Sequence, residues 1–298
     1  MRTYSIKDLE NLSGIKAHTI RIWEQRYELL NPSRTETGMR FYSGDDLKKI
    51  LATSVLIKSD TKISKIAKFS KEELQQKIIE IESTTTIDDS KIELSISRLL
   101  EAGLDFDEQL FTTEFSKVEK LFDTTKIFSN IVYPLLSRIG VLWNKDEMTP
   151  IQEHFISNIV RQKLISATNS LPIPDENAQK IVLFLPEQET HEIGILLANY
   201  IFKSEKIKTF YFGQQVPVKN LIDFILEHQI KHSFGFIFFS QGVKKQTAML
   251  SLLNEKCSET NFYWAGYIPD KSIIESFSNN TIVSSIEGIK DIILTIKK

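Results

Sequence analysis

The chain has 298 residues, of which 41% are hydrophobic and 26% charged, and this composition is typical of globular domains. A single cysteine, Cys257, excludes an internal disulfide and indicates a reducing compartment. The first ten residues hold no apolar signal core, and no apolar run approaches the roughly 20 residues that a membrane helix needs. We therefore expect a soluble, cytoplasmic protein of two or three domains without a membrane partner.

The charge is distributed unevenly along the chain. Residues 1–70 contain 13 Lys and Arg against 8 Asp and Glu, a net charge of +5, so the remaining residues carry −7 within an overall −2. A basic head on an acidic body indicates a polyanionic partner for the head. A chance imbalance in a short segment would give the same numbers, so the charge alone leaves both interpretations open.

The chain begins with two short predicted helices. Ser5 can cap the first in a capping box with Asp8, and the Ser-Gly pair ending at Gly14 predicts a tight turn. The second helix is predicted over residues 16–27. Two short helices joined by a glycine turn are typical of a helix-turn-helix.

The next segment, residues 31–42, predicts a β-hairpin. Its Asn-Pro and Thr-Gly pairs are turn signals, and Arg34 and Arg40 flank the tip. Each arm would hold a cation, and Tyr42 can donate a hydrogen bond to a phosphate. A capping box that starts at Ser43 predicts a third helix.

A longer pattern runs through the helices and the hairpin. It comprises Tyr4, Ser5, Ile6, His18, Thr19, Ile20, Arg21, Trp23, Glu24, Arg26, Tyr27, Arg34, Thr35, Gly38, Arg40, Phe41, Tyr42 and Ser43. This pattern resembles the winged-helix DNA-binding domain of the MerR family, over about 70 residues. The resemblance implies a DNA-binding domain at residues 1–75 and a double-stranded DNA operator as partner. The residues expected to bind DNA are Lys16, Thr19, Arg21, Arg26, Tyr27, Arg34, Arg40 and Tyr42.

One residue of this head departs from the family pattern, and several others have a second interpretation. Lys16 stands where the family usually has a small capping residue before the recognition helix, which would weaken the cap, although a lysine there can also meet phosphate. Trp23 is more typical of a core anchor than of a base reader. The arginines of the head are more typical of phosphate contacts than of sequence readers.

A linker is predicted after the head. Residues 58–77 are rich in lysine with interspersed isoleucine and predict a helical end, and residues 82–90 form the polar run E-S-T-T-T-I-D-D-S. We place the linker at residues 76–90. No sustained heptad follows residue 50, so the long dimerising coiled coil of many MerR regulators is not expected.

Residues 91–172 predict a four-helix bundle, because four apolar stripes with helical spacing follow one another. Trp143 precedes the fourth stripe. Nine residues separate Trp143 from the pair Glu153 and His154. This W-x9-E-H pattern resembles the helical cap beside the cobalamin domain in MerR regulators of the CarH/LitR type. The resemblance implies that Trp143 covers the upper face of the corrin and that Glu153 and His154 contact the upper ligand. From the residues alone, a buried tryptophan and a solvated Glu-His pair remain the alternative.

Five apolar strand patterns alternate with helical patterns over residues 178–298. The strands are predicted at residues 181–185, 209–212, 234–239, 262–265 and 281–283. Such βα units predict a doubly wound parallel sheet of the Rossmann-like class. Because His191, Ser240 and Gly266 each follow a strand, we expect them to meet at the carboxyl edge of the sheet, where this fold binds ligands.

The first strand of this sheet is followed by the pattern Glu189-x-His191-x-x-Gly194. An imidazole near a helix N-terminus is kept neutral, which is the form that binds a metal. A lone histidine in a loop is otherwise usually just solvated. The pattern resembles the D/E-x-H-x-x-G motif of base-off cobalamin-binding domains.

The resemblance assigns a role to each residue of this site. His191 would be the lower cobalt ligand, Glu189 would orient it, and Gly194 would let the corrin approach. Ser240 and Gly266 would line the tunnel for the nucleotide tail. Ala265 replaces the first of two usual glycines and adds a methyl group where the tail passes.

These three resemblances occur in order and cover nearly the whole chain. They imply a multidomain protein with a MerR-type winged helix-turn-helix, a four-helix bundle and an α/β doubly wound sheet. Its expected function is that of a cobalamin-dependent, light-responsive transcriptional repressor and not an enzyme. Its expected cofactor is adenosylcobalamin, with methylcobalamin as the alternative, and its expected partners are the operator and further copies of itself, as a dimer or tetramer.

Two other functions are weighed against this one. A MerR-type regulator whose sensor has lost cobalamin and answers to a protein partner would fit Glu189, where aspartate is common, and Ala265. A corrinoid methyl carrier of an enzyme system would fit the sheet and the bundle. The DNA-binding head and the lack of a substrate domain argue against that carrier.

Overall fold

The chain divides into two compact units, Met1–Ile159 and Val160–Lys298. The computed structural model describes residues 3–34, 38–84, 88–143, 149–237, 243–266, 268 and 271–297. Within these ranges, no helix is both long and apolar enough to cross a membrane.

The first unit opens with the predicted head. Its elements are α1 (Ile6–Ser13), α2 (Ala17–Tyr27), β1 (Ser33–Arg34), β2 (Arg40–Phe41) and α3 (Gly44–Lys58). Both predicted capping boxes are present, at Ser5 with Asp8 and at Ser43 with Asp46. Gly14 ends α1 with a φ of 73°, a left-handed conformation that glycine adopts without steric cost.

The predicted wing forms as a short antiparallel hairpin. Ser33 pairs with Phe41, and Arg34 pairs with Arg40. The hairpin is continued by an isolated bridge in which the backbones of Tyr4 and Tyr42 exchange two hydrogen bonds of 2.8 Å. The N-terminus of the chain is thereby held to the base of the wing.

A further helix occupies part of the segment expected as a linker. After α4 (Ile63–Ile66), helix α5 spans Lys71–Ser83, begun by a capping box between Ser70 and Glu73. Leu74 of α5 is buried, and Ile78 and Ile81 pack against the same small cluster. The helical end predicted at residues 58–77 covers the first part of this helix, whereas its last part was assigned to the linker at residues 76–90 because a polar run follows residue 82.

The four predicted helices of the bundle are present. They are α6 (Asp89–Leu104), α7 (Glu108–Glu119), the stretch formed by α8 (Thr124–Ile127), a π-helical segment (Phe128–Val132) and α9 (Tyr133–Trp143), and α10 (Pro150–Asn169). Pro134 lies two residues after the end of the π-helical segment and cannot donate the hydrogen bond that an α-helix requires of it. The wider π turn accommodates this residue without ending the helix.

The head and the bundle pack together within the first unit. Helix α1 lies against α9, and α3 lies against α6. The contact is polar as well as apolar, because the buried Ser54 hydroxyl of α3 donates to the Glu93 carboxylate of α6 at 3.2 Å.

The second unit is a five-stranded parallel sheet with helices on both faces. Its strands are β3 (Lys180–Pro186), β4 (Lys208–Val216), β5 (His232–Ile237), β6 (Asn261–Gly266) and β7 (Asn280–Ile282), in the order β4-β3-β5-β6-β7. Its helices are α11 (Ile193–Ser204), α12 (Val218–Glu227), α13 (Val243–Lys256), α14 (Ser272–Glu275) and α15 (Ile286–Ile296). The predicted doubly wound architecture is confirmed.

Strand β3 joins the two cores of this unit. Its alternate residues Ile181 and Leu183 face the core beneath α11 and α15, whereas Val182 and Phe184 face the core beneath α12 and α13. The chain leaves β3 toward β4 on one side and returns to β5 on the other. The strand order therefore reverses next to β3, and ligands bind at such a point in open α/β sheets.

Candidate functional site

A buried carboxylate and an exposed imidazole lie directly after β3. The Glu189 side chain is 3% exposed, whereas that of His191 is 66% exposed. One oxygen of Glu189, Oε1, lies 2.6 Å from His191 Nδ1 and accepts from the backbone amides of Thr190 and His191 at 2.9 and 3.0 Å. The loop is thus wrapped around this carboxylate.

This arrangement fixes the orientation of the imidazole. A carboxylate only accepts hydrogen bonds, so Nδ1 of His191 donates to Glu189, and in the neutral imidazole Nε2 carries the lone pair. Metal-ligating histidines commonly donate their second nitrogen to a carboxylate in this way. The donor set of Glu189 and His191 therefore fits a metal held at Nε2.

The loop is also held by an ion pair on the next residue. Glu192, the N-cap residue of α11, pairs with Arg161 of α10, and both residues belong to the second unit. The Glu192 side chain is 12% exposed. No local sequence pattern indicates this pair, because its partners are far apart in the chain.

Two glycines at this edge of the sheet have packing reasons of their own. A Cβ on Gly194 would lie 2.4 Å from the ring of Phe236, so α11 can approach β5 only without a side chain there. Gly266 has a φ of 107°, and a Cβ there would lie 2.1 Å from the carbonyl oxygen of Ile237. Ala265 is 7% exposed, and its methyl group packs into the core beneath α11 and α15. Ser240 lies outside the described residues.

The cap residues expected above the corrin lie at the ends of α9 and α10. Helix α9 ends at Trp143, whose side chain lies outside the described part of the structure, as does Asn144. Glu153 lies in the first turn of α10 and His154 follows it, with Glu153 Oε2 2.8 Å from His154 Nδ1. The neighbouring Gln152 is buried and donates to the Leu104 carbonyl at 2.9 Å, so this turn is anchored to α6.

The recognition helix α2 presents the expected cations to solvent. Ile20 is fully buried and anchors the helix, while Trp23 is half-buried. Among the residues expected to bind DNA, the exposed cations are Lys16, Arg21, Arg26 and Arg34. Thr19 and Tyr27 are half-buried, and the Arg26 guanidinium lies 5.6 Å from the centre of the Tyr27 ring.

Arg40 and Tyr42 are both engaged by Glu24. The Glu24 carboxylate accepts from Arg40 Nε at 2.8 Å and from the Tyr42 hydroxyl at 2.9 Å. Tyr42 is fully buried, and this burial, with the bond to Glu24, raises the pKa of its hydroxyl above the ordinary value. The structure thus differs from the expectation that Tyr42 donates to phosphate, because its proton is committed to Glu24.

The cap of the recognition helix comes from the preceding helix. Lys16 makes no side-chain cap, but Glu10 Oε2 accepts from the Ala17 amide at 3.2 Å. Glu10 also binds the ammonium groups of Lys7 at 2.8 Å and of Lys16 at 3.4 Å. The hydrogen bond from Lys7, with those from Ala17 and Lys16, lowers the pKa of Glu10 to about 2. A residue of α1 thus replaces the missing cap.

Two family models match the chain. Residues 4–73 match the MerR HTH family regulatory proteins, and residues 95–166 match the B12 binding domain. The chain therefore combines a MerR-type HTH domain with a B12 binding domain, as the sequence patterns predicted.

Two curated relatives are transcriptional repressors. The chain is 28% identical over 222 residues to the HTH-type transcriptional repressor CarH of Myxococcus xanthus, covering 74% of each chain. It is 22% identical over 222 residues to the HTH-type transcriptional repressor CarA of the same organism, covering 74% of this chain and 71% of that one.

A solved structure supports the fold. The Methanosarcina barkeri monomethylamine corrinoid protein matches with a TM-score of 0.59 and 14% identity, covering 67% of this chain and 98% of that chain.

Proposed function

We propose that the chain is a transcriptional repressor whose affinity for its operator is set by a corrinoid. The observation that carries this proposal is the Glu189–His191 pair at the carboxyl end of β3, where Nδ1 of the exposed imidazole lies 2.6 Å from a buried carboxylate. The MerR-type head on the same chain makes DNA the target of the signal. The protein acts by binding and assembly and catalyses no reaction.

Each part of the site has a separate role in this proposal. His191 would ligate cobalt through Nε2, and Glu189 would hold the imidazole at its angle. Bound cobalamin would supply a cobalt–carbon bond whose presence or loss is the signal. Trp143 would cover the corrin, and Glu153 and His154 would contact the ligand on that side of the cobalt. Ser240 and Gly266 line the path of the nucleotide tail, for which Ala265 leaves room because its methyl group lies in the core.

The assembly of several chains links the ligand to DNA. A single winged-helix head makes few contacts, and joining heads raises avidity without new contacts. We propose that the corrinoid-bound chain is a dimer or tetramer and that loss of the upper ligand dissociates it. The expected ligand is adenosylcobalamin, with methylcobalamin as the alternative.

Replacement of His191 tests the site directly. His191→Ala should shift the visible spectrum of bound cobalamin and weaken binding tenfold or more, the loss of at least about 1.4 kcal/mol. Spectra and a titration of purified protein with cobalamin measure both effects. His228→Ala, a change at the C-cap of α12, is the matched control and should leave spectrum and affinity as in wild type. An unchanged spectrum and affinity in His191→Ala would exclude this histidine as the ligand.

A further inference from the structure

Arg138 of α9 joins the DNA-binding head to the bundle. Its Nη1 donates to Glu93 Oε1 of α6 at 2.8 Å, and its Nη2 donates to Glu93 Oε2 at 2.9 Å. Nη1 also donates to the backbone carbonyl of Leu12, in the last turn of α1, at 3.0 Å. One guanidinium therefore bridges a helix of the head and a helix of the bundle.

This bridge is buried and has a fixed geometry. The side chains of Arg138 and Glu93 are 16% and 7% exposed, so salt and solvent screen the pair weakly. A bidentate arginine–carboxylate pair is directional, because both donors must meet both oxygens. Ser54 of α3 donates to the same carboxylate at 3.2 Å. Helices α1 and α3 of the head therefore both make hydrogen bonds to the Arg138–Glu93 pair.

The bond to Leu12 acts on the part of the head that leads into the recognition helix. Carbonyls in the last turn of a helix lack partners within the helix, and an arginine is a favourable donor there. Leu12 is followed by the turn at Gly14, and the recognition helix begins at Ala17. The position of α2 is thereby tied to α9, the helix that ends at Trp143.

We propose that Arg138 is a specificity-determining residue that sets the half-site spacing of the operator. It fixes the head on the bundle, so the assembly of bundles dictates the distance between two heads. Without it, a head turns on its bundle and reaches half-sites at several spacings. This inference rests on the proposed function, because it requires DNA binding by more than one copy.

Operators of altered spacing test this role. An operator selected by the wild-type protein from a random-sequence pool is lengthened or shortened between its half-sites by one or two base pairs. Wild type should lose affinity tenfold or more at each altered spacing, whereas Arg138→Met should vary by less than threefold across the series. Both proteins should bind a DNA with a single half-site equally, because the recognition surface is unchanged.

Arg98→Met is the matched control. Arg98 lies on α6, pairs with Glu82 and Glu114, and is 24% exposed, so its loss removes a comparable ion pair without touching α1. This variant should lose affinity at altered half-site spacings as strongly as wild type does. If Arg138→Met does not fold, as judged by circular dichroism, the series is run with Arg138→Lys, which keeps the charge but not the bidentate geometry.

The outcomes separate this inference from the function on which it rests. If the Arg138 variant tolerates only one spacing, or if wild type tolerates several, the role of Arg138 is overturned and DNA binding is left intact. Failure of wild type to select any operator would instead contradict the proposed function. Visible spectra of bound cobalamin should be the same in wild type and variant, since Arg138 does not belong to the corrin site.

Discussion

Glu24 organises part of the cationic surface of the head. It accepts from Arg40 at 2.8 Å and from Tyr42 at 2.9 Å, so one carboxylate holds two residues that were both expected on phosphate. Arg40 keeps further donors, because its guanidinium has five N–H groups. The hydroxyl of Tyr42 has one proton, which goes to Glu24. We therefore expect Arg40 to bind DNA, whereas Tyr42 helps to hold Glu24, the partner of Arg40, in place.

Removal of the Tyr42 hydroxyl shows whether this group stabilises the head or contacts a DNA phosphate. Tyr42→Phe should lower the free energy of unfolding by about 0.5–1.5 kcal/mol and leave the salt dependence of DNA binding unchanged.

Arg34→Ala and Arg40→Ala should each weaken binding to all DNA sequences alike and reduce the salt slope by about one unit. Thermal unfolding and DNA titrations over a range of salt measure these effects. A lower salt slope in Tyr42→Phe would restore its role as a phosphate contact, and a loss at one base-pair position would show base reading by the arginines.

Glu10 gives the head a predictable dependence on pH. Its pKa is lowered from 4.5 to about 2 in the folded chain by Lys7, Ala17 and Lys16, so the folded state prefers the carboxylate. The resulting stabilisation is present above pH 4.5 and is lost as the pH falls toward 2.

Glu10→Gln should therefore lower the unfolding temperature of the head at pH 7, by the equivalent of about 0.5–2 kcal/mol for a helix cap. The difference from wild type should shrink as the pH is lowered from 4.5 toward 2. Glu28→Gln, at the other end of α2, is the control and should match wild type at both pH values. A Glu10→Gln difference that stays constant with pH would contradict the ionic origin of this cap.

At the scale of elements, the contact between α11 and β5 places the His191 loop at the sheet edge. Gly194 lies in the first turn of α11 and faces the ring of Phe236 on β5. The glycine is required by this packing before any ligand binds. The sequence motif alone attributes the same glycine to the approach of the corrin.

Gly194→Ala should destabilise the ligand-free protein by about 1–3 kcal/mol, because the added methyl group overpacks the contact. The double variant Gly194→Ala with Phe236→Leu should recover part of this loss, since the smaller side chain makes room. Thermal unfolding without cobalamin measures both variants. If the ligand-free stability were unchanged and only cobalamin affinity fell, the approach of the corrin would be the reason for the glycine.

The elements that the sequence predicted are those with a strong local pattern. Strand β3 has an unbroken apolar run, and the pair Glu189 and His191 is separated by a single residue, so both follow from short-range rules. Helix α5 was predicted only in part, because the polar run at residues 82–90 placed the start of the linker within it. The Arg138–Glu93 pair spans 45 residues, and no local pattern determines which distant carboxylate a given arginine meets.

At the scale of the whole molecule, the proposed function links the sensor to the head through the assembly of several chains. Light would cleave the cobalt–carbon bond of bound adenosylcobalamin, and the residue after Trp143 would bear on what replaces the adenosyl group. The resemblance to the CarH/LitR type implies a histidine at that position that can capture the cobalt, whereas this chain has Asn144, a poor cobalt ligand beside an imidazole. We infer that no bis-histidine adduct forms through residue 144.

Illumination of the complex with adenosylcobalamin tests this inference. The dark complex should be larger by sizing than the lit one, and the lit spectrum should lack bis-imidazole features, which Asn144→His should introduce. A bis-imidazole spectrum in lit wild type that survives His154→Ala would refute the assignment to residue 144. If light changed neither spectrum nor size, the protein would respond to the corrinoid itself and not to light.

The cap that Glu10 supplies to α2 also constrains how this head can evolve. A serine or threonine in place of Lys16 would cap the helix from its own side chain, and the glutamate would then be free to change. With lysine at that position, loss of Glu10 removes the acceptor of the Ala17 amide. Positions 10 and 16 should therefore change together among related sequences. An acidic residue should be retained at position 10 wherever position 16 has no hydroxyl.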